Sequence, residues 1–297
     1  MSTIPGFGGT AETTMPQAPA ESTSLTRRFP AYPDRFTFEP SSRWVRGVVG
    51  ETAIVDSRNQ ILVWEPGHKV PEYGFPKSHV RTDLLEPGSP PVGRYYRPST
   101  KDVRWYDLVL GERRIPAAAW TWNVPGLDDF IAVSWFPGVL DAWFEEDELV
   151  HTHPRDPGSR VDVIASSRHV LVKSEGRTIA ESTHPLALFE SGLPTRFYLP
   201  LADVHWDELE AIDVTSSCPY KGHADGYWAA KGAPDREIAW SYSHPAHQVS
   251  AIKGHVAFYN ERVELIVDGS PFVDSRADWA EAARRRSDSA DSTSDAV

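Results

Sequence analysis

Residues 35–67 read RFTFEPSSRWVRGVVGETAIVDSRNQILVWEPG, and residues 160–192 read RVDVIASSRHVLVKSEGRTIAESTHPLALFESG. The second stretch restates the first at one constant spacing, without a gap. Ser41, Ser42 and Arg43 return as Ser166, Ser167 and Arg168, while Asp56 and Trp64 are exchanged like for like with Glu181 and Phe189. A period well beyond the roughly 20–50 residues of solenoid units signals tandem domains. The repetition also serves as an internal control. A residue kept in both halves is first a scaffold candidate, and one found in a single half is first a candidate for function.

Within each copy the pattern is β. Residues 161–163, 169–172 and 178–180 are short β-branched runs separated by turn residues. Residues 256–267 (VAFYNERVELIV) read as two strands around a polar centre. Residues 131–144 (IAVSWFPGVLDAWF) align with them, with a turn at Pro137-Gly138. Residues 201–209 have room for one or two helical turns, and no longer helical periodicity is present. The expected fold is mainly β, with a first repeat over residues 31–150, a connection over 151–157 (HTHPRDP) and a second repeat over 158–272. Residues 1–30 carry too little apolar surface to offset the entropy of ordering and are expected to be disordered. The tail, residues 273–297, ends in the acidic SDSADSTSDAV; a short surface helix is expected over residues 274–286 before it.

Composition narrows the function. A formal charge of −12 and a pI near 5.4 argue against nucleic acid as a partner, because phosphate binding needs a basic surface. A single cysteine excludes an intramolecular disulfide framework and points to a cytoplasmic setting. No signal-peptide pattern opens the chain, and no apolar run is long enough to cross a membrane as a helix. Eleven tryptophans imply aromatic-rich cores.

Several segments carry a resemblance to a known family. FESGLPTRFYLP (189–200), CPYKG (218–222), Tyr227-Trp228, IAWSY (238–242) and GHVAFYNE (254–261) resemble the bacterial domain of unknown function 427 family in order and spacing. The first repeat is similar through Trp64-Glu65-Pro66-Gly67, Ala119-Trp120 and FEEDELVHTHPRDP (144–157), but lacks the cysteine motif. The resemblance implies a β-tent-like fold, a folded-over antiparallel sheet, in each repeat. Its other name, nucleotidyltransferase-like, implies a reaction for which the sequence offers no spaced pair of magnesium-holding aspartates.

Cys218-Pro219-Tyr220-Lys221-Gly222 is the first chemical candidate. A thiolate is a nucleophile, a nearby ammonium favours it, and the Pro219–Gly222 turn is able to bring Lys221 back over Cys218. The alternative is a buried packing cysteine with Lys221 in water. In the first repeat, residues 94–105 (RYYRPSTKDVRW) occupy the corresponding place, with Pro98-Ser99-Thr100 as a turn. Arg196 suits a bidentate clamp on a carboxylate or phosphate, or else an ion pair with Glu190 or Asp203. The first repeat has Glu72 and Gly74 near the places of Arg196 and Tyr198. Glu65 and Glu190 persist in both halves, which favours a structural task at their turns over acid–base work. Trp120 and Trp240 are expected in the core, with Trp122 and Tyr242 on the same strand face two residues on.

Two function classes follow. One is a small-molecule site in the second repeat, enzymatic or binding, with Cys218 and Lys221 as catalytic candidates. Its ligand contacts would come from Glu190, Arg196, Tyr198, Tyr220, Tyr227 and Trp228. The other is a scaffold that offers an aromatic surface to a partner. No metal or cofactor is expected, since the histidines lack ligand spacing and residues 6–9 (GFGG) lack the context of a phosphate loop.

Overall fold

The computed structural model describes residues 35–68, 70–91 and 103–274. The expectations for residues 1–30, for the helix and tail beyond Asp274, and for the turn at Pro98-Ser99-Thr100 lie outside the described residues.

Each repeat contains a seven-stranded antiparallel sheet and a four-stranded one, and the order of strands is the same in both. The first repeat runs β1 (Thr37–Pro40), β2 (Val45–Val49), β3 (Thr52–Ser57), β4 (Ile61–Trp64), β5 (Glu72–Pro76), β6 (Leu85–Pro87), β7 (Val103–Leu110), β8 (Arg113–Trp122), β9 (Phe130–Val133), β10 (Ala142–Glu145) and β11 (Glu148–Val150). Its large sheet is ordered β1-β4-β5-β9-β8-β7-β6 and its small one β11-β10-β2-β3. The second repeat follows with β12 (Val161–Ala165), β13 (Val170–Ser174), β14 (Arg177–Ser182), β15 (Leu186–Glu190), β16 (Arg196–Pro200), β17 (Leu209–Ala211), β18 (Ser216–Cys218), β19 (Gly222–Ala224), β20 (Gly226–Ala230), β21 (Glu237–Ser241), β22 (His244–Pro245), β23 (His255–Phe258), β24 (Glu264–Val267) and β25 (Ser270–Pro271). Residues 201–209 hold two short 3₁₀ turns, Leu201–Asp203 and Trp206–Glu208.

The repeated sequence produces repeated local detail. β2 and β13 alternate buried and half-buried positions, as a strand covered on one face requires. Both carry a bulge at the same place, between Gly47 and Val48 and between Val172 and Lys173. β13 and β14 are joined by Glu175-Gly176, both at positive φ, the two-residue turn whose twist matches that of the strands.

The central strands of each large sheet are buried on both faces. In the first repeat one face packs on the small sheet through Leu62, Tyr73, Phe75, Ile131, Val45 and Trp143. The other face carries Ile61, Val63, Trp105, Trp120, Trp122 and Ala132. The second repeat has the same two layers, one around Val170, Phe197 and Leu199 and one around Tyr198, Tyr227, Trp240 and Tyr242. Trp120 and Trp240 are buried as expected, and Trp122 and Tyr242 extend the same layers. These outer layers lie beside the junction of the repeats, and they position the site.

Candidate functional site

The Cys-Pro-Tyr-Lys-Gly segment is a hairpin. β18 and β19 pair with Cys218 opposite Gly222, which leaves Pro219, Tyr220 and Lys221 as the loop, and β22 adds a third strand. Gly222 sits at φ +97°, and a Cβ there would lie 3.0 Å from the Ala246 amide nitrogen and 3.1 Å from the His244 carbonyl oxygen. Both facts call for glycine. Among the described residues, the first repeat has no counterpart of this small sheet.

The loop does not direct its lysine to the cysteine. Lys221 Nζ donates to Glu190 Oε2 instead, in an ion pair that is nearly closed to solvent. Arg196 pairs with neither Glu190 nor Asp203. It makes two bonds to Glu261, at 2.7 and 3.0 Å, and lies near the rings of Trp240 and Tyr259. Those bonds hold the Glu261 carboxyl below its usual range.

The phenols are likewise engaged. The buried Tyr198 hydroxyl accepts a bond from Trp240 Nε1 at 3.2 Å, and burial pushes its pKa upward. The Tyr220 hydroxyl accepts the Asp156 amide at 2.7 Å and so ties the hairpin to the connection; burial raises its pKa too. Tyr227 and Ser216 share a hydroxyl–hydroxyl bond of 2.6 Å. Trp228, the next residue along the strand, packs on the other layer, with its ring 5.0 Å from Trp206. It therefore does not join Cys218.

Cys218 is a half-buried free thiol, and it opens onto space between the repeats. A cleft of about 360 Å³ is bounded by Ser217, Cys218 and Pro219 on one side and by Arg43, Glu145 and Leu149 on the other. His151, Thr152 and Ser217 also line an adjoining chamber of about 240 Å³. The connection expected as a simple linker thus forms a wall of both spaces.

The chamber also holds Glu72, the first repeat's counterpart of Arg196. Glu72 lines it together with Trp120, Ser134 and Trp135, facing Ser216 and His223 of the second repeat. Glu72 is 5 % exposed, and no described residue hydrogen-bonds its carboxyl. Burial, and secondarily the charge of Glu65, push its pKa up to about 8. Glu65 itself accepts Trp122 Nε1 at 2.7 Å. His153, also in the lining, is held below the usual histidine range by burial, and its ring bonds the Pro154 carbonyl. The available sequence signal was an acid in one repeat where the other carries a base.

No helix among the described residues is long and apolar enough to cross a membrane. No curated protein matches the chain. A family model described as Domain of unknown function (DUF427) matches residues 37–145 and again residues 162–269. These two segments coincide with the two β-repeats, and the chain belongs to the DUF427 family, with the family's domain present twice in tandem.

Proposed function

We propose that the protein binds a small molecule in the groove between its two repeats, with the Cys218 hairpin as one wall. The observation that carries this reading is the pair of adjoining spaces, about 360 and 240 Å³, lined by aromatic rings, hydroxyls, carboxyls and one thiol. Concave sites with an apolar body and a few converging polar groups are the usual form of ligand sites. The second repeat supplies Cys218, Ser216, Ser217 and His223. Lys221, Glu190, Arg196, Tyr198 and Tyr220 act one step back, bracing the hairpin and the layer behind it. Catalysis by Cys218 would need a base or cation other than Lys221, whose ammonium is already committed to Glu190. Binding is therefore favoured over nucleophilic chemistry.

A half-buried free thiol suits a reducing, cytoplasmic setting, and the acidic chain suits a ligand other than nucleic acid. The scaffold reading draws on Phe38 and Ile164, exposed on the outer strands β1 and β12 at the edges of the two large sheets. Native mass spectrometry of the full chain tests the binding reading. A bound species is expected that disappears in Ser217→Trp, which narrows the wall common to both spaces. A ligand retained in that variant would place binding elsewhere.

A further inference from the structure

The two repeats treat one pair of positions differently. Glu65 and Glu190 correspond, and so do Glu72 and Arg196: Glu72 pairs across its sheet with Val63, and Arg196 pairs with Leu188 at the equivalent place. In the second repeat each charge has an opposite within the chain, Glu190 with Lys221 and Arg196 with Glu261. In the first repeat both positions are carboxyls. Glu72 is almost fully buried, lines the chamber, and is hydrogen-bonded by no described residue. None of the described residues lining that chamber is lysine or arginine.

A buried carboxylate is costly unless a cation meets it. In the second repeat Lys221 brings an ammonium nitrogen on an alkyl stem to Glu190, the counterpart of Glu65, and the chamber beside Glu72 has room for such a group. Trp120 and Trp135 are part of its lining, and indole rings attract ammonium groups. The space is smaller than the roughly 300–1,000 Å³ of sites for drug-sized ligands, which sets the ligand as compact.

We propose that the chamber is a site for a small alkylammonium compound, whose cationic nitrogen is held by Glu72 against the Trp120–Trp135 wall. The proposal deepens the binding reading above and rests on it.

Saturation-transfer NMR on the full chain, at a pH above 8 where Glu72 is ionised, tests it with two probes: choline and its neutral carbon isostere, 3,3-dimethylbutan-1-ol. Choline is expected to bind at least tenfold more tightly than the alcohol, and Glu72→Gln to bring the ratio close to one. If both probes bind equally in the wild-type protein, and both are lost in Ser217→Trp, the groove remains a ligand site and the cationic assignment is overturned. If neither probe binds, while native mass spectrometry finds a neutral or anionic compound that Ser217→Trp removes, the assignment again falls alone. Absence of binding in every arm overturns both readings.

Discussion

Glu72 and Arg196 stand at the same register position of two copies of one sheet, an acid in the first and a base in the second. Arg196 is bonded twice to Glu261, at 2.7 and 3.0 Å, whereas Glu72 lines a chamber with Glu65 as its acidic neighbour. The duplicated scaffold has thus been kept while the electrostatics of its outer layer have diverged. In the second repeat the layer is satisfied within the chain. In the first it faces a space that a ligand is able to fill.

The raised pKa of Glu72 has a consequence for stability. Its folded-state value of about 8 lies above the ordinary 4.5, so the folded form holds a proton that the unfolded form releases between those values. The associated stability is fully present below about pH 4.5 and is lost as pH rises through about 8. Glu72→Gln is expected to remove this loss, leaving a variant about 2–4 kcal/mol more stable than wild type at pH 9 and similar to it at pH 5. Urea denaturation at the two pH values checks this. Equal midpoint differences at both would show that Glu72 ionises freely.

Trp120 and Trp240 are the packing anchors of the two outer layers, at 1 % and 7 % exposure. Each truncation to alanine is expected to cost about 3–5 kcal/mol. Trp240→Ala also removes the bond from Nε1 to the Tyr198 hydroxyl, so Trp240→Phe should retain much of the packing and lose the hydrogen bond alone. Chemical denaturation measures both. Midpoints that barely move would mean that the layers rearrange around the missing rings.

Lys221 and Cys218 are neighbours in sequence but belong to different interactions. Lys221→Met should remove the cation facing the nearly buried Glu190 carboxylate and destabilise the fold by about 3 kcal/mol. Labelling of Cys218 by iodoacetamide in the native state should change by less than about threefold, because the ammonium is held by Glu190. A tenfold fall in labelling, with the protein still folded, would return Lys221 to the role of thiol activator.

Gly222 is expected to tolerate no side chain. Gly222→Ala places a Cβ against the Ala246 amide and forces a left-handed backbone on alanine, at a cost of about 2 kcal/mol or more. The hairpin should loosen before the rest of the repeat does. Hydrogen exchange of the Ala246 amide, which donates to the Lys221 carbonyl at 2.9 Å, reports this locally. Unchanged protection there would show that β22 moves with the hairpin.

Much of the architecture is legible in one dimension because its causes are local. Alternating side chains on β2 and β13, the Glu175-Gly176 turn and the buried tryptophans follow from strand period, turn chemistry and the size of an indole, and the repetition doubles each signal. The prominence of Cys218 was legible for the same reason, since it stands in one copy and not in the other. The partners were not. Lys221 lies three residues from Cys218 yet reaches Glu190 in another strand, and Arg196 finds Glu261 across the sheet. Ion pairs depend on where side-chain tips meet after folding, and spacing along the chain does not encode that. Glu72 was legible only as a substitution at the place of Arg196. Its burial, its proximity to Glu65 and the chamber before it arise from the packing of one repeat against the connection and the other repeat, a relationship that exists only in three dimensions.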